Sequence, residues 1–132
     1  MRAFIICLLS LLIAGCSATL ESTEVAQFNN KTYKITVTEF DEGIYRLTEV
    51  SINDDFKMLF KPTSLKDKRC IKVSGGSPLI STCTFFGTYK NIEVKVVKVM
   101  KSSLLALSVN YEIYFNDRLV EVVNITNDLA GT

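Results

Sequence analysis

Leu105-Ala106-Leu107-Ser108-Val109-Asn110-Tyr111-Glu112-Ile113-Tyr114-Phe115 places an apolar residue at every odd position and mostly polar residues between them. A period of two is the signature of a strand with one face on a core and the other in water. Downstream, Asn116-Asp117 supplies a turn into a second extended run, residues 119–125. A two-residue turn would set Ile113 against Val120, Tyr111 against Val122 and Glu112 against Glu121, the last a mildly unfavourable like-charge pair. Upstream the same alternation recurs in Ile92, Val94 and Val96, but Val97 and Val99 take the other parity, so a bulge or bend is expected there. Tyr33, Ile35 and Val37 mark an earlier strand, and Phe56, Met58 and Phe60 another, with turns at Asp41-Glu42-Gly43 and Asn53-Asp54-Asp55. Within residues 44–52 the apolar positions shift from Tyr45 and Leu47 to Val50 and Ile52, which predicts a bulge near Thr48-Glu49. Only residues 100–107 tolerate a helical turn. The pattern reads as an all-β domain: a small antiparallel β-sandwich or barrel of seven to eight strands.

The chain opens quite differently. Met1-Arg2 gives a positive charge, residues 3–13 an apolar run, and Ala14-Gly15 a pair of small residues before Cys16. That is the layout of an export signal, and the run is shorter than the roughly 20 residues that a spanning helix needs. Leu12-Ile13-Ala14-Gly15-Cys16 resembles the lipobox of bacterial lipoproteins; the alternative is a plain signal peptide with an accidental cysteine. The resemblance implies cleavage before Cys16, acylation of that cysteine (palmitate among the chains) and a membrane anchor. Several acyl chains make release negligible, because each buried methylene contributes about 0.8 kcal/mol. Ser17, rather than Asp, after the lipidated cysteine implies export onward to the outer membrane. Cys7 leaves with the signal. The expected organisation is a signal peptide at 1–15, an anchor and tether at 16–30, and a single β domain at 31–132.

Export to an oxidising compartment makes a disulfide the default for the two remaining cysteines, Cys70 and Cys83. A hairpin closed by Gly75-Gly76-Ser77-Pro78 sets Ser74 against Leu79, Lys72 against Ser81 and Cys70 against Cys83, with Ile71, Val73 and Ile80 on the opposite face. The expected Cα separation is about 4.4–6.8 Å. A metal site competes, but two thiols without histidine are a weak ligand set.

There is no histidine, so neither a Ser-His-Asp nor a Cys-His arrangement can be built. The paired carboxylates Asp41-Glu42 and Asp54-Asp55 lie in predicted turns, where acidic residues are favoured for local reasons. No phosphate loop or metal cluster is visible, and the reading is a non-enzymatic chain without cofactor, metal or small-molecule substrate. Charge is balanced overall but segregated. Residues 56–101 hold 10 basic and 2 acidic residues, whereas residues 21–55 hold 3 basic and 8 acidic. Lys57, Lys61, Lys66, Lys68, Arg69 and Lys72, followed by Lys90, Lys95, Lys98 and Lys101, form either a solvated face or a surface for an acidic partner or anionic head groups. Nucleic acid does not fit a tethered envelope protein of neutral mature charge. The expected function is that of an envelope assembly or accessory factor binding another protein. Anchor, tether and small domain are also the plan of pilotin-like and pilus-associated lipoproteins. The alternative is an inhibitor or immunity lipoprotein directed at a lysozyme-like hydrolase, a toxin or a phage, resembling periplasmic lysozyme inhibitors.

Overall fold

The computed structural model describes residues 19–41, 46–61, 68–74, 79–105 and 107–125. Among the described residues nine strands follow one another: β1 (Thr19–Phe28), β2 (Lys31–Asp41), β3 (Arg46–Ile52), β4 (Phe56–Phe60), β5 (Cys70–Ser74), β6 (Leu79–Tyr89), β7 (Ile92–Ser102), β8 (Leu107–Phe115) and β9 (Arg118–Ile125). They form two antiparallel sheets, β1-β2-β3-β4 and β5-β6-β7-β8-β9. The inner faces pack together as a sandwich, with Phe28 and Tyr33 edge-on to Phe115 and Phe60 stacked on Phe85 across the gap. Among the described residues there is no helix.

The alternation of β8 holds from Val109 to Phe115, where every second residue is buried. It does not extend to Leu105, which lies nearly fully exposed with Leu104 in the connection after β7. Tyr33, Ile35 and Val37 of β2 and Met58 and Phe60 of β4 face the core as their spacing predicts. The first strand is a correction. Residues 17–30 read as a tether, with residues 25–28 as an alternative brief first strand, yet the pairing with β2 runs the whole length of Thr19–Phe28. Only Ala26 and Phe28 of this strand are buried, so it carries little of the periodicity that marks a strand in a sequence.

Three hairpins close through two-residue turns in which both residues have positive φ: Asn29-Asn30, Lys90-Asn91 and Asn116-Asp117. Such turns match the right-handed twist of the flanking strands, and asparagine tolerates the left-handed region well. Two turns also grip the strand beyond them. Asn53 exchanges backbone and side-chain bonds with Lys34 at 2.8 Å, and Asn116 does the same with Glu93 at 2.9 Å.

Both bulges expected from parity changes are absent: β3 and β7 keep an unbroken register with their neighbours. The parity changes because a polar residue occupies the core face, Thr48 in β3 and Lys98 in β7. A bulge does occur in the last hairpin. Phe115 faces Arg118 and Tyr114 faces Leu119, but Ile113 then faces Glu121 and Tyr111 faces Val123. The extra residue, Val120, takes Glu121 away from Glu112 and brings Val123 and Ile125 into the core.

Gly87 lies on β6 between buried Phe85 and Tyr89. A Cβ there would meet Met58 Sδ at 3.0 Å and Phe56 Cζ at 3.2 Å across the sandwich. Gly87→Val is therefore expected to cost about 1–3 kcal/mol by overpacking. Combining it with Met58→Ala should recover part of that loss in a denaturation experiment. A Gly87→Val protein as stable as wild type would show that the sheets separate freely at this point.

Candidate functional site

The two margins of the sandwich differ. At one, β1 and β9 run side by side; at the other, β4 approaches β6 while β5 carries the edge of its sheet. The second margin opens into a cleft of about 560 Å³ lined by Leu59, Phe60, Lys68, Arg69, Ile71, Thr84, Phe85 and Phe86. A deeper recess of about 240 Å³ continues between the sheets and shares Phe60, Ile71 and Phe85 with it.

The disulfide forms the rim of this recess. Cys70 and Cys83 are joined, and Cys70↔Cys83, Ile71↔Thr82 and Lys72↔Ser81 pair in the expected register. Past Lys72 the register shifts, so Ser74 faces Ile80 rather than Leu79. The connecting residues 75–78 lie outside the described residues. The cysteine Cα atoms stand 4.0 Å apart, closer than expected. Thr84 N–H donates to the carbonyl of Arg69 at 2.9 Å, which makes Arg69–Thr84 the hydrogen-bonded position of the ladder. Cys70–Cys83 is then a non-bonded position, where antiparallel strands come closest.

Behind the rim lies a buried polar cluster. Glu39 is 3% exposed and Lys98 6%; Lys98 Nζ donates to Glu39 Oε1 at 3.1 Å. The Tyr111 hydroxyl donates a short hydrogen bond to the same Glu39 oxygen. With its proton committed there, Tyr111 accepts from Thr48 Oγ1 at 3.2 Å. Lys98 also stands 5.5 Å from the centre of the Tyr111 ring. The four residues come from β2, β3, β7 and β8, so the cluster ties both sheets together at the open margin. Thr48 and Lys98 line the recess itself. In the sequence Lys98 is marked only as one cation of the basic segment, and Glu39, Thr48 and Tyr111 do not stand out as a site. Its traces are the parity breaks after Val37, at Thr48 and at Lys98.

The basic segment does not form one surface. Lys57 lies on the outer face of the first sheet, 3.7 Å from Glu49, where Glu21, Lys34 and Asp54 mix both signs. Lys61 is exposed just beyond β4. Lys66 lies outside the described residues. Lys68, Arg69 and Lys72 do converge on the open margin, and Arg69 sits 5.0 Å over the Phe85 ring, on which Phe60 is stacked. Neither Lys68 nor Lys72 is paired with a carboxylate among the described residues. Of the later lysines, Lys90 pairs with Asp55 and Lys95 with Asp117, while Lys98 is interior and not part of a solvated face. Tyr89, which donates to Asp55 at 3.0 Å, and Asp55 together raise the Lys90 pKa above its ordinary value.

Beside these cations the sheet is apolar. On the outer face of β5 and β6, Ile71 and Val73 are each 61% exposed and Phe86 is 66% exposed, with Leu59 of β4 across the cleft. The far half of the same face mixes polar side chains with Leu119 and Val122, 49% and 38% exposed. There Tyr114 donates to Glu112 at 3.2 Å under the Lys95 ammonium, and burial, with Glu112 beside it, pushes its phenol pKa up. At the β4–β5 margin, apolar exposure thus meets lysines that have no carboxylate partner among the described residues.

The carboxylate pairs are tied up locally as far as they are described: Asp54 pairs with Lys34 at 3.0 Å and Asp55 accepts from Tyr89. Among the described residues no group of three His, Cys, Asp or Glu side chains is placed to hold a metal ion. No protein-family model, curated protein or solved structure matches this chain.

Proposed function

We propose that this chain is an outer-membrane lipoprotein, anchored through Cys16, whose β-sandwich binds a protein partner at the β4–β5 margin and serves as an assembly or accessory factor. One observation carries the binding part. Lys68 and Lys72, without a carboxylate partner among the described residues, stand beside exposed Ile71, Val73 and Phe86. Isolated surface apolar residues need no explanation, but a contiguous patch rimmed by charge is the usual form of an interaction site. The anchor rests on the Leu12-Ile13-Ala14-Gly15-Cys16 motif, which lies outside the described residues.

Two measurements test these parts separately. Intact mass of the N-terminal peptide is expected to show cleavage before Cys16 and acyl chains on it; an unmodified start at Ser17 or later would remove the anchor from the proposal. For the margin, a photo-crosslinking residue placed at Phe86 is expected to give a discrete adduct in intact cells, and the same residue at Lys57 none. Equal adducts at both positions, or none at either, would count against the margin as the binding site.

A further inference from the structure

We infer that the outer edge of β5, which no other described strand covers, accepts an extended segment of the partner that alternates apolar and acidic residues as an added strand; this rests on the protein-binding reading and names its mode. Among the described residues β5 is bonded to β6 alone, because it ends its sheet. The Arg69–Thr84 bond sets the direction of its peptide groups. Along an antiparallel ladder, residues alternate between facing the neighbour and facing away. Ile71 therefore directs its N–H and C=O toward β6, and Cys70 and Lys72 direct theirs to the open side. Those outward groups are what an incoming strand bonds in β-augmentation, and alternate side chains supply specificity.

The side chains around the edge define the occupant. On one face, Ile71 with Phe86 and Leu59 offers apolar contact to an added strand. On the other, Lys72 stands where a cross-strand carboxylate would pair with it, while Lys68, two residues before the strand, lines the cleft beside Ile71. A segment alternating apolar and acidic residues meets both requirements. A second copy of this chain does not, because edge-to-edge pairing sets Lys72 and its cationic neighbours against their own counterparts. Lysine at an edge is a common guard against such self-pairing. The disulfide holds Cys70 against β6, so the edge is presented in one geometry before any partner arrives.

Lys72→Pro separates this mode from docking on a face. Proline removes the outward N–H, and an edge position with that orientation tolerates it. Lys72→Ala removes the charge and keeps the N–H. A random eight-residue peptide display library, panned on the full-length oxidised protein in detergent, is the probe. The selected peptides are expected to alternate apolar and acidic residues. Their affinity should fall at least tenfold for Lys72→Pro, with less loss for Lys72→Ala, and weaken with added salt. Peptides without acidic alternation, peptides that bind Lys72→Pro as well as wild type, or a selection yielding no binder would overturn the added strand. Should Lys72→Pro lose its near-ultraviolet circular dichroism, amide exchange on the wild-type complex decides instead. Protection of the Cys70 and Lys72 amides on peptide addition supports the mode, and unchanged exchange overturns it. If Lys72→Pro retains the Phe86 crosslink in cells while Phe86→Glu abolishes partner capture, the protein-binding reading stands and the strand-addition mode fails.

Discussion

Lys98→Met is expected to destabilise the domain by about 3–5 kcal/mol, the loss typical of removing one member of a buried ion pair. The Glu39 carboxylate would keep its Tyr111 hydrogen bond but lose the ammonium 3.1 Å away, in a position that is 3% exposed. Glu39→Gln should cost a comparable amount, because it leaves the Lys98 charge buried between the sheets. The double variant Glu39→Leu/Lys98→Met is expected to lie far closer to wild type, since apolar replacement of a whole buried pair is often neutral or stabilising. Urea denaturation measures all four proteins, and a midpoint shift at constant slope identifies a change in stability. Single variants within about 1 kcal/mol of wild type, or a double variant as unstable as the sum of the singles, would show that the pair is solvated in solution. Tyr111→Phe provides a finer reading: it removes a donor to Glu39 and an acceptor for Thr48, and should cost about 1–3 kcal/mol.

Reducing the Cys70–Cys83 bond, or replacing both cysteines by alanine, is expected to cost about 2–4 kcal/mol. The bond closes a segment with a sequence separation of 13, for which the chain-entropy model gives about 3 kcal/mol. Its structural effect should concentrate on β5. That strand has five residues, a neighbour on one side only among the described strands and a register shift after Lys72. Amide exchange in β5 should accelerate on reduction well before that of Val94, Val96 or Ile113, which are fully buried in the centre of the second sheet. Peptides selected on the oxidised protein should lose affinity in parallel. Identical unfolding midpoints with and without reductant, or uniform exchange behaviour across β5 and β8, would remove the disulfide from its role at this edge.

Most of the sheet content follows from local chemistry that a sequence carries on its face. Val109 to Phe115 cannot bury one side as anything other than a strand, and Cys70 and Cys83 share a hairpin register that leaves little choice of partner. The Asn116-Asp117 turn is equally legible, because few residue pairs accept two successive positive φ angles. Even the bulge at Val120 has a local warning, the unfavourable apposition of Glu112 and Glu121 that it removes.

The buried cluster is another matter. Thr48 and Lys98 interrupt otherwise apolar patterns, and a polar residue at a core position looks like a change of register when the strand is viewed alone. Only the packing of one sheet on the other shows that Glu39, Thr48, Lys98 and Tyr111 meet and satisfy one another. The first strand is legible only over residues 25–28 for a related reason, since β1 buries only two side chains and its order comes from the ladder with β2. The candidate site is likewise a product of assembly. Lys57 and Lys72 belong to one basic run in the chain but to different sheets in the molecule, whereas Leu59, Ile71 and Phe86 become neighbours across the β4–β5 margin. Strand identity depends on contacts within a few residues and is therefore written in the sequence; charge pairing and surface composition depend on contacts between sheets, which exist only once both are folded.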